Sequence, residues 1–237
     1  MRLPIPNLAT PVAAFGSTSN PTGAAYTRAE LAALGEVLLQ HPRILIGTDD
    51  IYEKIYWADE PFSSLAQVVP ALYPRTVTIN GCSKGYAMTG WRIGYCGGPA
   101  EVIAAMATIQ GQSTTNAASM SQQAAIAALN GPQDEVARMN ESFRQRHDYF
   151  VKGLNSLPGV RCLPGAGTFY AFADVSGAMR RRGLADDNAF CEFILNEALV
   201  AGVPGSGFGA PGHLRLSFAV SMQTLEKALE RLGKALA

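Results

Sequence analysis

The chain has 237 residues, 48% of them apolar and 16% charged, with 19 basic and 19 acidic side chains and a formal net charge of +0. At roughly 150 residues per domain this length allows one large or two modest domains with a sizeable core, and the low charge content speaks against long disordered segments. Zero net charge argues against partners held by bulk electrostatics, so neither nucleic acid nor an anionic membrane is expected, and a bound anion needs a local site.

The opening Met1-Arg2-Leu3-Pro4-Ile5-Pro6-Asn7 is interrupted by prolines and an asparagine, so no signal peptide is expected. No apolar run reaches the roughly 18 residues of a membrane span. Val12-Ala13-Ala14-Phe15 is a weak strand candidate. Thr27-x-x-Glu30 is a capping box ahead of Leu31, Leu34, Val37 and Leu38, which predicts a helix of about three turns stopped near Pro42. Arg43 to Thr48 is an apolar run rich in strand formers that ends at Asp49-Asp50, the pattern of a strand buried on both faces. Arg75 to Ile79 and Ile93 to Cys96 are two further strands. The first leads into Gly81-Cys82-Ser83-Lys84, and the second stops at Gly98-Pro99, where proline at the first helical position opens a helix from Ala100 to Gln110. Strands alternating with helices predict an α/β fold around a mainly parallel sheet.

A helix over about Ala117 to Leu129 ends at Asn130-Gly131-Pro132, where a domain boundary is placed. Residues 1–132 then form a large domain and 133–237 a smaller α+β domain. The latter starts with a long charged helix from Gln133 to the break at Pro158-Gly159, with Val136, Met139, Phe143, Phe150 and Leu154 on one side. A strand over Thr168 to Asp174, a helix from about Asn188 to Val200, a strand over His213 to Ala219 and a terminal helix with Leu225, Leu229, Leu232 and Leu236 follow.

Cys82, Cys96, Cys162 and Cys191 form no C-x-x-C pair and stand near no histidine set, so no metal site is expected, and free thiols suit a reducing cytoplasm. In an open parallel sheet ligands bind beyond the carboxyl ends of the strands. Two polar clusters fall there: Asp49, Asp50 and Tyr52, and Ser83 with Lys84. Lys84 lies among small residues that permit close approach, and eight positions on stands Arg92, whose planar fork suits a phosphate.

The segment Ser83-Lys84-Gly85-Tyr86-Ala87-Met88-Thr89-Gly90-Trp91-Arg92-Ile93-Gly94-Tyr95 resembles the cofactor-lysine segment of class I aminotransferases, the pyridoxal-phosphate enzymes of fold type I. Asn20-Pro21-Thr22-Gly23 is similar to that family's N-P-T-G turn, Asp49-Asp50-Ile51-Tyr52 to its D-E-I-Y segment, and His213-Leu214-Arg215-Leu216-Ser217-Phe218 to its substrate-arginine strand. The four occur in the family's order from about Asn20 to the end, and the likeness is strongest to the bacterial aspartate aminotransferase branch.

The resemblance implies a large cofactor domain and a smaller C-terminal one, pyridoxal phosphate as cofactor, and transfer of an amino group between an amino acid, aspartate or an aromatic one, and a 2-oxo acid, in a homodimer. It implies Lys84 as cofactor-bearing lysine and proton shuttle, Asp49 as partner of the pyridinium nitrogen, and Asn20 and Tyr52 as hydrogen-bond partners of the ring's phenolic oxygen. Arg92 and Ser83 would hold the phosphate, and Arg215 the substrate α-carboxylate. Many relatives carry a hydroxyl residue three positions before the lysine, where this chain has Gly81.

Taken singly, Asp49 would be a turn cap, Tyr52 edge packing, Asn20-Pro21 a turn and Arg215 a solvent-facing charge. Jointly, in family order, the catalytic readings prevail. Gly205 to Ala210 fits G-x-G-x-x-G/A but precedes a strand rather than following one, so a loop is expected, and Arg180-Arg181-Arg182 is expected on a solvated face. A complete family member has a long half before the N-P-T-G turn, which residues 1–19 do not resemble, so the chain is expected to lack it. Two other functions stay open: another pyridoxal-phosphate reaction such as β-elimination, and a catalytically silent assembly partner.

Overall fold

The computed structural model describes residues 11–237; the opening Met1 to Asn7 and the start of the expected large domain lie outside them. Two compact units share the chain. The first takes the chain up to Thr18 together with Tyr26–Ala137, and the second takes Ser19–Ala25 and Arg138–Ala237. A single boundary near Gly131 does not provide for the Ser19–Ala25 excursion, which is tied to the second unit where Ala166 and Gly167 donate their N–H groups to the Gly23 carbonyl, at 2.8 and 3.2 Å.

In the first unit β1 (Val12–Gly16), α1 (Arg28–Leu39), β2 (Leu45–Asp49), α2 (Leu65–Val68), β3 (Thr76–Gly81), α3 (Cys82–Gly85), β4 (Gly94–Gly97), α4 (Ala100–Ser113) and α5 (Ser119–Asn130) follow in order. The sheet runs β1-β2-β3-β4, with β1, β2 and β3 parallel and β4 antiparallel to β3. The weak strand candidate at Val12 is thus a full member of the sheet. α1 starts where expected, because Thr27 and Glu30 close the capping box from both sides. Its Leu31 and Leu38 pack with Ile46, Leu65 and Leu72 into one core cluster.

Burial on both faces of β2 does not hold. Ile46 and Thr48 are buried, whereas Leu45 and Gly47 on the opposite face are only half-buried, so the strand alternates as a one-sided strand does. Pro99 caps α4 as the residue before its first turn instead of standing at the first helical position. With its ring fixing φ at −53° and its ψ extended at 132°, it admits the chain to the helix without joining it.

α6 (Asp134–Asn155) leads into the second unit, which continues with β5 (Arg161–Cys162), β6 (Tyr170–Asp174), α7 (Ser176–Arg182), α8 (Asp187–Ala198), β7 (Val203–Pro204), β8 (His213–Ser217) and α9 (Met222–Leu236). The sheet order is β5-β6-β8-β7, all antiparallel. Phe150, Leu154, Ala173, Phe190, Ile194, Leu214, Phe218, Leu225 and Leu232 are buried in its core. The arginine triplet ends α7. Arg182 bonds the Ala235 carbonyl and lies 5.8 Å from the centre of the Phe193 ring, so it is tied to its neighbours as well as solvated. Among the described residues no helix is long and apolar enough to cross a membrane.

Candidate active site

In the first unit the parallel register aligns Gly16 with Asp49 and Asp49 with Ile79, so β1, β2 and β3 end at one edge of the sheet. The residues that follow each strand gather there. The Asp50 N–H reaches across to the Ile79 carbonyl at 2.9 Å, which holds the turn after β2 against β3 three residues before α3 begins. Asp49 is exposed at this rim, with Oδ1 accepting the Ile51 N–H at 3.1 Å. Tyr52 is buried. Ser83 and Lys84 are half-buried on α3. Arg92 turns the chain in the left-handed conformation, φ 50° and ψ 49°, and one guanidinium N–H bonds the Thr89 carbonyl at 2.9 Å.

Asp50 behaves differently from its neighbour. It is buried, and Ser17 at the end of β1 donates a hydrogen bond of 2.5 Å to its Oδ1. Burial pushes its carboxyl up to about 6, with the nearby Glu53 and Asp49 charges adding to the rise and the Ser17 bond opposing it. Beside Lys84, burial also raises the Cys82 thiol, which keeps it protonated and inert.

A Cβ at Gly81 would stand 3.1 Å from Gly94 Cα and from the Ile93 carbonyl. The position three before Lys84 is thus tightly packed against the chain entering β4. The donor set at the rim comprises a carboxylate, a phenol, an amine, a hydroxyl and a guanidinium. It matches the functional groups of pyridoxal phosphate, a ring nitrogen, a phenolic oxygen, an aldehyde and a phosphate.

The second unit holds the other two expected residues together. Arg215, in the middle of β8, donates from Nη1 to Asn20 Oδ1 at 2.8 Å. Its guanidinium carbon lies 4.5 Å from the centre of the Tyr170 ring and 4.8 Å from that of Phe208. Cation–π contacts on both rings fix the plane of the fork, which is the requirement for gripping a carboxylate by two parallel bonds. Neither ring is marked by the sequence pattern. Phe208 belongs to Gly205–Phe208, expected as a loop and found as one 3-10 turn between β7 and β8.

The family model for aminotransferase class I and II matches residues 6–232. The chain belongs to that family. Among its relatives, the aspartate/prephenate aminotransferase of Nitrosomonas europaea is 50% identical over 226 residues, covering 93% of this chain and 57% of that protein. An aspartate aminotransferase of Rhizobium meliloti is 47% identical over 226 residues, with 93% and 55% covered. The crystal structure of the Rhizobium meliloti aspartate aminotransferase superposes with a TM-score of 0.88 at 45% identity over 95% of this chain and 57% of that one. That of the Pyrococcus horikoshii aromatic aminotransferase gives 0.87 at 33%, with 95% and 60% covered. The α/β fold is thus that of the fold type I aminotransferases, and this chain spans a little over half the length of the relatives it matches.

Proposed function

We propose that the protein is a pyridoxal-phosphate-dependent aminotransferase that moves an amino group between an amino acid, aspartate or an aromatic one, and a 2-oxo acid. The observation that carries the reading is the shared edge of β2 and β3, which presents Asp49, Tyr52, Ser83 and Lys84 at one rim. Pyridoxal phosphate, when bound, supplies an electron sink for negative charge at the substrate α-carbon.

The chain's own residues do the rest. Asp49 would pair with the ring nitrogen and keep a proton on it. Tyr52 would donate its hydroxyl to the ring's phenolic oxygen, and the resemblance assigns Asn20, whose Oδ1 accepts from Arg215, a role toward the same group. Arg92 and Ser83 would hold the phosphate, the first by charge-assisted bonds. Lys84 Nζ would be the attachment point for the cofactor and would hold the proton taken from the substrate α-carbon. Arg215 takes the substrate α-carboxylate in a bidentate pair, its plane already set by Tyr170 and Phe208.

The names of the relatives support aspartate as amino donor and prephenate or another 2-oxo acid as acceptor. A homodimer is the assembly the resemblance implies. The four free cysteines fit a reducing compartment, and the cytoplasm is the proposed location. The test is direct. Incubation with pyridoxal phosphate followed by borohydride should fix the cofactor's mass on the peptide containing Lys84, and transfer from aspartate to a 2-oxo acid should follow. A chain that stays colourless and unlabelled at excess cofactor overturns the reading.

A further inference from the structure

We propose that His147 is a positioning residue for the Asn20–Arg215 pair, acting through the Gly165–Thr168 loop on the turn that carries Asn20. His147 lies on α6, within the second unit, and is 3% exposed. Its Nε2 accepts the Gly165 N–H at 2.9 Å. An amide can only donate, so Nε2 carries no proton, and the neutral ring bears its proton on Nδ1, which faces Asp148 Oδ1 at 2.8 Å. Asp148 thereby fixes the tautomer that lets His147 accept. The ring also meets Phe218 edge-on with centres 5.8 Å apart, so its orientation is held by packing too.

What Gly165 begins is a backbone clasp. The next two N–H groups, of Ala166 and Gly167, both end on the Gly23 carbonyl. Gly23 has φ +70°, and a Cβ there would stand 3.0 Å from the Gly167 carbonyl oxygen. A Cβ on Gly165 would lie 3.0 Å from both Gly23 Cα and its oxygen. Bare backbone therefore meets bare backbone, with no side chain to absorb a shift. Gly23 in turn donates to the Ser19 carbonyl at 2.9 Å, and Ser19 to the Ala24 carbonyl at 2.7 Å, which closes the turn around Asn20. A displacement of Gly165 is passed through Gly23 to Asn20, and so to the oxygen that Arg215 Nη1 uses.

The effect on ligand binding rests on the proposed role of Arg215; the link from His147 to the turn does not. The test uses the full chain as wild type and as the variants His147→Phe, His147→Gln, Asp148→Ala and Arg215→Ala. Phenylalanine keeps an aromatic ring against Phe218 and removes the acceptor, whereas the glutamine Oε1 can still accept. Hydrogen exchange followed by mass spectrometry reads the Ala166 and Gly167 amides. His147→Phe should speed their exchange about tenfold, as expected for one lost hydrogen bond, with α9 protected as in the wild type, and His147→Gln should restore the wild-type rate. Asp148→Ala, at a side chain that is 64% exposed, changes no core packing and should speed the same amides about threefold by releasing the tautomer. No change in both His147→Phe and Asp148→Ala overturns the proposal, and so does equal loosening in Phe and Gln.

Titration of the cofactor-incubated chain with maleate, used as a dicarboxylate probe, reads the second step. His147→Phe should weaken binding several-fold and His147→Gln should not. Binding lost in Arg215→Ala but untouched in His147→Phe overturns the claim that the link reaches the arginine. Binding unchanged in Arg215→Ala as well, with the loop loosened by His147→Phe, overturns the role of Arg215 and supports the link to the turn.

Discussion

The hydroxyl of Ser17 donates to Oδ1 of Asp50 across 2.5 Å, joining the residue after β1 to the residue after β2 beneath the rim that carries Asp49. The pair is buried, and its carboxyl, pushed up to about 6, takes up its proton far more readily than an unfolded aspartate at about 3.9. The folded state thus binds more protons between those values. Asp50 adds stability that is complete below about pH 4 and is lost as pH rises through about 6, to a total of up to about 3 kcal/mol. Urea unfolding across that window should show Asp50→Asn with a flatter pH dependence than the wild type. Parallel curves would mean that Asp50 titrates normally.

Lys84→Ala should abolish both labelling by borohydride and amino-group transfer, because it removes the attachment point and the proton carrier together. Cofactor should still be retained through Arg92 and Ser83, but should leave on dialysis after borohydride treatment. Mass spectrometry of the treated variant checks this, and a label that moves to another lysine without loss of transfer contradicts it.

Arg215→Ala should cost roughly 1.5 to 3 kcal/mol of carboxylate binding for each charge-assisted hydrogen bond removed. Thermal unfolding should change little, since Arg215 is not part of the buried core. Titration with amino acid or maleate measures the first quantity, and unchanged affinity would return Arg215 to an ordinary strand charge.

Phe208→Leu keeps an apolar side chain on the 3-10 turn and removes the π face 4.8 Å from the guanidinium. A cation–π contact of about 0.5 to 1 kcal/mol predicts a two- to fivefold weaker carboxylate affinity with Tyr170 still in place. Phe208→Tyr, which keeps the face, should bind as the wild type does.

The elements with local signals were legible from the residues alone. Thr27 and Glu30 announced α1, the leucines at helical spacing announced α9, and the strand-ending polar clusters marked the rim where Asp49 and Lys84 stand. What was not legible depends on pairing between distant residues. Asn20 and Arg215 are 195 positions apart, and nothing local foretells that the oxygen of one meets the guanidinium of the other. Phe208 was hidden for the same reason, in a glycine-rich stretch whose pattern speaks only of a turn. Burial of β2 was overestimated because an unbroken apolar run looks alike whether one face or both are covered. α7 was missed because seven residues rich in arginine carry too little apolar periodicity.

The assignment of Ser19–Ala25 to the second unit also bears on the order in which the molecule can be built. During synthesis the four described strands of the first sheet are all available once β4 has emerged, since each pairs with a strand that lies within a few tens of residues of it. The turn bearing Asn20 must wait. Its partners Ala166, Gly167 and finally Arg215 come more than a hundred residues later, so until then the turn lacks the hydrogen bonds that tie it to the second unit. Production of Arg138–Ala237 as a separate piece would leave the Gly165–Thr168 loop without the backbone it clasps, and the turn supplied as a peptide would be the component that completes it.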